Sequence, residues 1–173
     1  FASLDFEKQQ SEDCLFINII KPSKIDTGSL PVMVWFHGGG YNFGNGDGLY
    51  ITDRFAKRDV ILVTMNYRLG PFGFFAHPLL SETSKMGVSG NYGTLDQIQA
   101  LKWVQTNIHL FGGDPDNVTI FGESAGGASV ETLVSTKLAK DLFHKAIAQS
   151  GYTVGRARNI REKRGDLSSA DSL

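Results

Sequence analysis

The run Val118-Thr119-Ile120-Phe121-Gly122-Glu123-Ser124-Ala125-Gly126-Gly127 sets the tightest limit on what this chain can fold into. An apolar, β-branched stretch leads into a serine flanked by residues with almost no side chain. Small neighbours let a backbone reverse sharply between a strand and a helix and lift the serine hydroxyl clear of its surroundings, the G-x-S-x-G nucleophile elbow. A second small-residue run, His37-Gly38-Gly39-Gly40, again follows a strand-like segment, Val32 to Phe36.

Elsewhere the glycines gather between apolar runs with no fixed period, as in a sheet scaffold with tight loops at the strand ends. Cys14 to Ile20 reads as a strand stopped by Lys21-Pro22, Pro31 opens the next over Val32 to Phe36, and Val60 to Met65 is a third. Apolar residues at successive positions suit parallel strands covered on both faces. Leu49 to Lys57 is expected to be helical, and residues 74 to 90 irregular. Leu95, Ile98, Leu101, Val104 and Ile108 recur at helical spacing, and Gly112-Gly113-Asp114-Pro115 ends that helix. A strand at Val118 to Phe121 precedes a helix from Ser124 toward Leu133. Asp141 to Ala148 suggests a turn of helix feeding a strand at Ala146 to Gln149. This alternation predicts an α/β fold with a mostly parallel sheet. Right-handed crossovers place helices on both of its faces. Residues 1–151 form the domain portion, and residues 152–173, poor in large aliphatics and rich in charge, read as a disordered or weakly helical tail.

Over 173 residues the formal net charge is -1, and 41% of residues are hydrophobic. That balance argues against a nucleic-acid-binding protein. The basic residues Arg156, Arg158, Arg161, Lys163 and Arg164 read as a solvated charge run rather than a contact for anionic surfaces, and no apolar run reaches the ~18 residues of a membrane span. Cys14 is the only cysteine, and a lone cysteine in an apolar strand reads as a small buried hydrophobe.

Ser124 has two readings: a nucleophile, or a cap for the helix that follows. As a nucleophile its oxygen would sit near backbone amides at the positive end of the helix dipole. The glycine run could be a flexible turn or a phosphate cradle, but no Lys-Ser or Lys-Thr follows it. Paired with the elbow it reads as an oxyanion hole, with Gly39 and Gly40 donating alongside the Ala125 amide. Glu123 shares the elbow with Ser124 and is badly placed to orient a histidine. Asn66 and Arg68 read as structural ties beneath the site, through hydrogen bonds and ion pairing. Of the four histidines, His37 suits a loop-orienting role. His77, His109 and His144 offer no convincing base. No metal or organic cofactor is implied.

Six blocks of this sequence resemble the type-B carboxylesterase family, which includes the cholinesterases and has the α/β-hydrolase fold. They are Ser11 to Ile19, Val34 to Tyr41, Asn66 to Phe74, Gly90 to Gln97, Phe111 to Pro115 and Phe121 to Gly127, in family order. The resemblance implies Ser124 as the acylated nucleophile, with Gly39, Gly40 and Ala125 as oxyanion donors. It also implies a small-molecule carboxylic ester as substrate and is compatible with a secreted or extracellular setting. The aromatic residues Tyr41, Phe43 and Phe72 are expected to line an apolar pocket favouring esters with an apolar part. In many members the cysteine matching Cys14 bridges to one upstream, which would lie before Phe1 and suggests an N-terminal cut. The family's triad acid and histidine lie far downstream of the serine, at positions this chain does not contain. The expectation is therefore an α/β-hydrolase truncated after the strand that follows the nucleophile helix, without turnover alone. The competing expectations are an esterase-like binding or adhesion protein, against which the retained Ser124 counts, and an incompetent truncated product.

Overall fold

A computed structural model of the protein describes residues 11–25 and 28–151. The tail expected over 152–173 lies outside them. In chain order the main elements are β1 (Ile17–Ile20), β2 (Leu30–Phe36), β3 (Ile61–Met65), α1 (Gly70–Phe74), α2 (Pro78–Thr83), α3 (Tyr92–Asn107), β4 (Gly113–Glu123), α4 (Ala125–Ser135) and β5 (Lys145–Gln149).

The sheet runs β1-β3-β2-β4-β5. β1 is antiparallel to β3, and the remaining pairs are parallel. Its core face follows from register. Val32 pairs with Ile61 and with Val118, and Val34 with Val63 and with Ile120, so these side chains stack in rows on one side. Against them pack Ile98, Leu101 and Val104 of α3, Ile108 just beyond it, and Val130 and Leu133 of α4, all buried. The helical spacing read from the sequence is therefore the core stripe of α3.

Strand order explains where each crossover lies. From β3 the chain passes through α3 to β4 and then through α4 to β5, moving across the sheet in one direction. Right-handed connections put both helices on the same face. From β2 to β3 the chain moves the other way, so that crossover must lie on the opposite face. There Tyr50 packs on Trp35 at 5.1 Å and Phe55 on Phe121 at 5.7 Å between ring centres. Crossovers occupy both faces as expected, while α3 and α4 share one. The reversal falls between β2 and β4, and in open α/β sheets the crevice outside the carboxyl ends of two such strands is where ligands bind.

Several local expectations are corrected. Leu49 to Lys57 is not a helix but two 3₁₀ turns, Gly48–Tyr50 and Ala56–Arg58. Between them the Thr52 hydroxyl accepts a bond from the Arg54 amide at 3.3 Å, a local turn that competes with helix propagation. Residues 74 to 90 are less irregular than expected, because Pro71 and Pro78 stand in the first turns of α1 and α2, where a missing N–H costs nothing. The helical turn expected within Asp141 to Ala148 lies earlier, at Lys137–Ala139, capped by Thr136. Asp141 takes a left-handed φ of 63°, and His144 is already bonded to Val118 through its backbone amide. Cys14 precedes β1 and is half-buried rather than held within a strand.

Among the described residues, no helix is long and apolar enough to cross a membrane.

Candidate active site

Backbone geometry distinguishes Ser124 from an ordinary helix cap. Its φ and ψ are 56° and -122°, and its side chain makes no capping bond to α4. A non-glycine residue in so sparsely populated a region costs roughly 1–3 kcal/mol and persists only where its surroundings hold it. Both ends are held. The Ser124 amide donates to the Gln149 carbonyl at 2.9 Å, and its own carbonyl accepts from the Ala128 amide at 2.9 Å. The side chain is exposed at the N-terminus of α4.

Close backbone approach explains the small residues around it. A methyl carbon on Gly126 would collide with the carbonyl oxygen of Phe36 and lie 2.8 Å from its carbonyl carbon. The elbow therefore rests directly on the end of β2, with no room for a side chain between.

Phe36 pairs with Gly122, so the segments leaving β2 and β4 emerge side by side. A methyl on Gly38 would sit 3.2 Å from the Ser124 Cβ and 2.9 Å from the Glu123 carbonyl oxygen. The predicted oxyanion loop and the predicted nucleophile are thus neighbours at one end of the sheet. Gly39 and Gly40 turn the chain at φ 112° and 61°. The Gly39 carbonyl accepts from the amides of Asn42 and Phe43, at 3.1 and 3.3 Å. Among the described residues, nothing accepts from the amides of Gly39, Gly40 or Ala125. Those three N–H groups are the oxyanion donors expected from the sequence.

His37 orients this loop. Its Nδ1 lies 2.8 Å from the Gly38 carbonyl, which fixes the proton on that nitrogen, and its ring stacks on Tyr67 at 4.4 Å. The Tyr67 hydroxyl donates to the His37 carbonyl at 2.7 Å. Burial pushes the imidazole below its ordinary value, partly opposed by its bond to Gly38. The native state therefore binds fewer protons here than the unfolded chain, and stability rises with pH across the window between the lowered native value and about 6.5. Thermal melting of the chain is expected to fall between about pH 7.5 and about pH 5 more steeply than that of His37→Gln, where this contribution is absent. Parallel curves would show that His37 carries no such linkage.

The other histidines are engaged elsewhere. His77 caps α2, its Nδ1 accepting from the Leu79 amide at 3.2 Å. The His144 Nδ1 accepts from the Val118 amide at 3.2 Å, which leaves it roughly 20 Å of strand from Ser124. His109 lies in the 3₁₀ turn before β4, also at the far end. His37 lies at the serine's end of the sheet, and its Nδ1 is bonded to the Gly38 carbonyl.

Arg68 and Asn66 are the structural ties expected. Asp96, which the sequence reading did not single out, accepts from the Arg68 backbone amide, Nε and Nη2 at 3.0, 2.8 and 2.7 Å. The Asn66 side-chain oxygen accepts from the Gly46 amide at 2.7 Å. The pocket-lining reading is corrected for Tyr41. Its ring packs inward on Phe74 at 4.6 Å, while Phe72 stands exposed and Phe43 lies against Gly39.

Residues 2–169 match the carboxylesterase family model. The chain is 51% identical over 141 residues to fumonisin B1 esterase of Sphingopyxis macrogoltabida, an alignment covering 81% of this chain and 26% of that protein. It is 54% identical over 147 residues to para-nitrobenzyl esterase of Bacillus subtilis, covering 83% and 29%. Among solved structures it superposes on a thermophilic PNB esterase with a TM-score of 0.77 at 51% identity, covering 86% of this chain and 31% of that one. It spans between a quarter and a third of the length of these proteins.

Proposed function

The chain belongs to the carboxylesterase family, and from that premise we propose that it carries the nucleophile and oxyanion half of a serine ester hydrolase. The observation that supports this is the pairing of a strained, uncapped Ser124 with the glycine run at the switch point between β2 and β4. In this reading Ser124 Oγ attacks the carbonyl carbon of a carboxylic ester as a base takes its proton. The carbonyl oxygen becomes an oxyanion against the amides of Gly39, Gly40 and Ala125. The C–O bond to the alcohol breaks, and the alcohol leaves with a proton returned by the base. Water then cleaves the acyl-serine by the same steps, regenerating the hydroxyl.

In this reading the base is none of the four histidines: the His37 Nδ1 is bonded to the Gly38 carbonyl, His77 caps α2, and His109 and His144 lie at the far end of β4. The substrate class is a small carboxylic ester with an apolar part. An esterase-like binding protein has no use for a serine held at this cost in backbone strain.

Two measurements test the assignment. The chain alone is expected to give no repeated hydrolysis of a p-nitrophenyl ester, because acylation lacks a positioned base. In imidazole, supplied as an external base, a fluorophosphonate probe is expected to attach to Ser124, with attachment lost in Ser124→Ala. Repeated turnover that disappears in Ser124→Ala would place a working base inside the chain. Probe attachment at a different residue would remove Ser124 from the site.

A further inference from the structure

We propose that Tyr41, Ser129 and Gln97 are positioning residues that lock the glycine amides onto the nucleophile helix. This rests on the assignment of Ser124 and the Gly39, Gly40 and Ala125 amides above. Oxyanion donors act only where their placement is fixed before reaction, yet two of the three come from a loop with consecutive glycines at positive φ. Tyr41 follows at once, itself left-handed at φ 63°, a conformation that a bulky non-glycine residue keeps only when its neighbours impose it.

Contacts on every side impose it. The Tyr41 carbonyl accepts from the Gly70 amide at 2.7 Å, its ring packs on Phe74 and Tyr67, and its hydroxyl accepts from Ser129 Oγ at 3.3 Å. Ser129 is buried on α4, one helical turn beyond Ala125 and on the same face. Loop donors and helix donor are thereby tied to one rigid element. Gln97 sets the direction of the tie. Its Nε2, which can only donate, reaches Ser129 Oγ at 2.9 Å, so the serine accepts there and its single hydrogen is left for the phenol. Gln97 is fully buried on α3, so the relay crosses from α3 through α4 to the loop.

The test compares the full chain with Tyr41→Phe, Ser129→Ala and the double variant, in imidazole as external base. Ser124 labelling is timed with a fluorophosphonate bearing P=O and with its P=S counterpart, since a preorganised oxyanion site favours the oxygen. We expect P=O labelling to slow by about tenfold in either single variant, in line with the sensitivity of reactions to sub-ångström misplacement. P=S labelling should change far less, and the double variant should be no slower than the singles. Backbone order parameters of Gly39 and Gly40 should fall in the same variants. An oxygen-to-sulfur preference held at the wild-type ratio overturns the proposal, even if both rates drop. A wild-type chain that neither probe labels overturns the nucleophile assignment instead. The order parameters then decide the tie: a fall in Tyr41→Phe upholds it, and unchanged values refute it.

Discussion

Gly126→Ala is expected to destabilise the chain by about 3 kcal/mol or more, toward the upper end of what overpacking a core does. The new methyl would collide with the Phe36 carbonyl oxygen and press on the carbonyl carbons of Phe36 and His37, at 2.8 and 3.0 Å. These are backbone atoms of a buried central strand, so no side-chain rotation relieves the contact. Relief needs α4 to move off the sheet. That would open the packing of Val130 and Leu133 and break the bond between Ser124 and Gln149, which also holds β5. Since small domains have only some 5–15 kcal/mol of stability in total, the loss should be obvious in urea titrations followed by Trp35 and Trp103 fluorescence. A shift under about 1 kcal/mol would mean that the elbow does not rest on β2.

How much of this was legible in the sequence depended on whether the signal was local. The stripe on α3 could be read because core contact repeats at the helical period, and the elbow because Gly122, Ser124 and Gly126 stand within one turn. The 3₁₀ turns of residues 48–58 look helical in the sequence, since Ile51 and Phe55 fit a helical face by spacing, whereas in the fold Phe55 packs against Phe121. The tie from Arg68 to Asp96 links residues far apart in sequence, and no spacing rule joins them. Tyr41 shows the same limit. Beside a glycine run it reads as a pocket aromatic, and only its tertiary contacts with Tyr67, Phe74 of α1 and Ser129 of α4 turn it inward. Nor could a linear reading place Gly38 against Ser124, which follows from the register of β2 with β4 and from the reversal of the crossovers between them.

That juxtaposition makes Gly39→Ala the counterpart of Gly126→Ala, with the effect moved from fold to chemistry. Gly39 has a φ of 112°, which alanine strongly disfavours. Its methyl would collide with the Phe43 carbonyl oxygen and meet the Phe43 ring at 3.0 Å. Here the obstructing residue belongs to an exposed turn, with Phe43 itself 41% exposed, so the loop can rearrange without disturbing the sheet. Rearrangement would carry the Gly39 and Gly40 amides away from the point beside Ser124. Urea stability should stay within about 1 kcal/mol of the parent chain, while imidazole-assisted fluorophosphonate labelling of Ser124 falls about a hundredfold, the effect of losing an oxyanion donor. Labelling at the parent rate would exclude the Gly39 amide from the site, and global unfolding would make the loop part of the scaffold. Taken together, the two alanine variants separate a glycine that lets two backbones touch, Gly126, from one that lets the chain turn at the proposed oxyanion loop, Gly39.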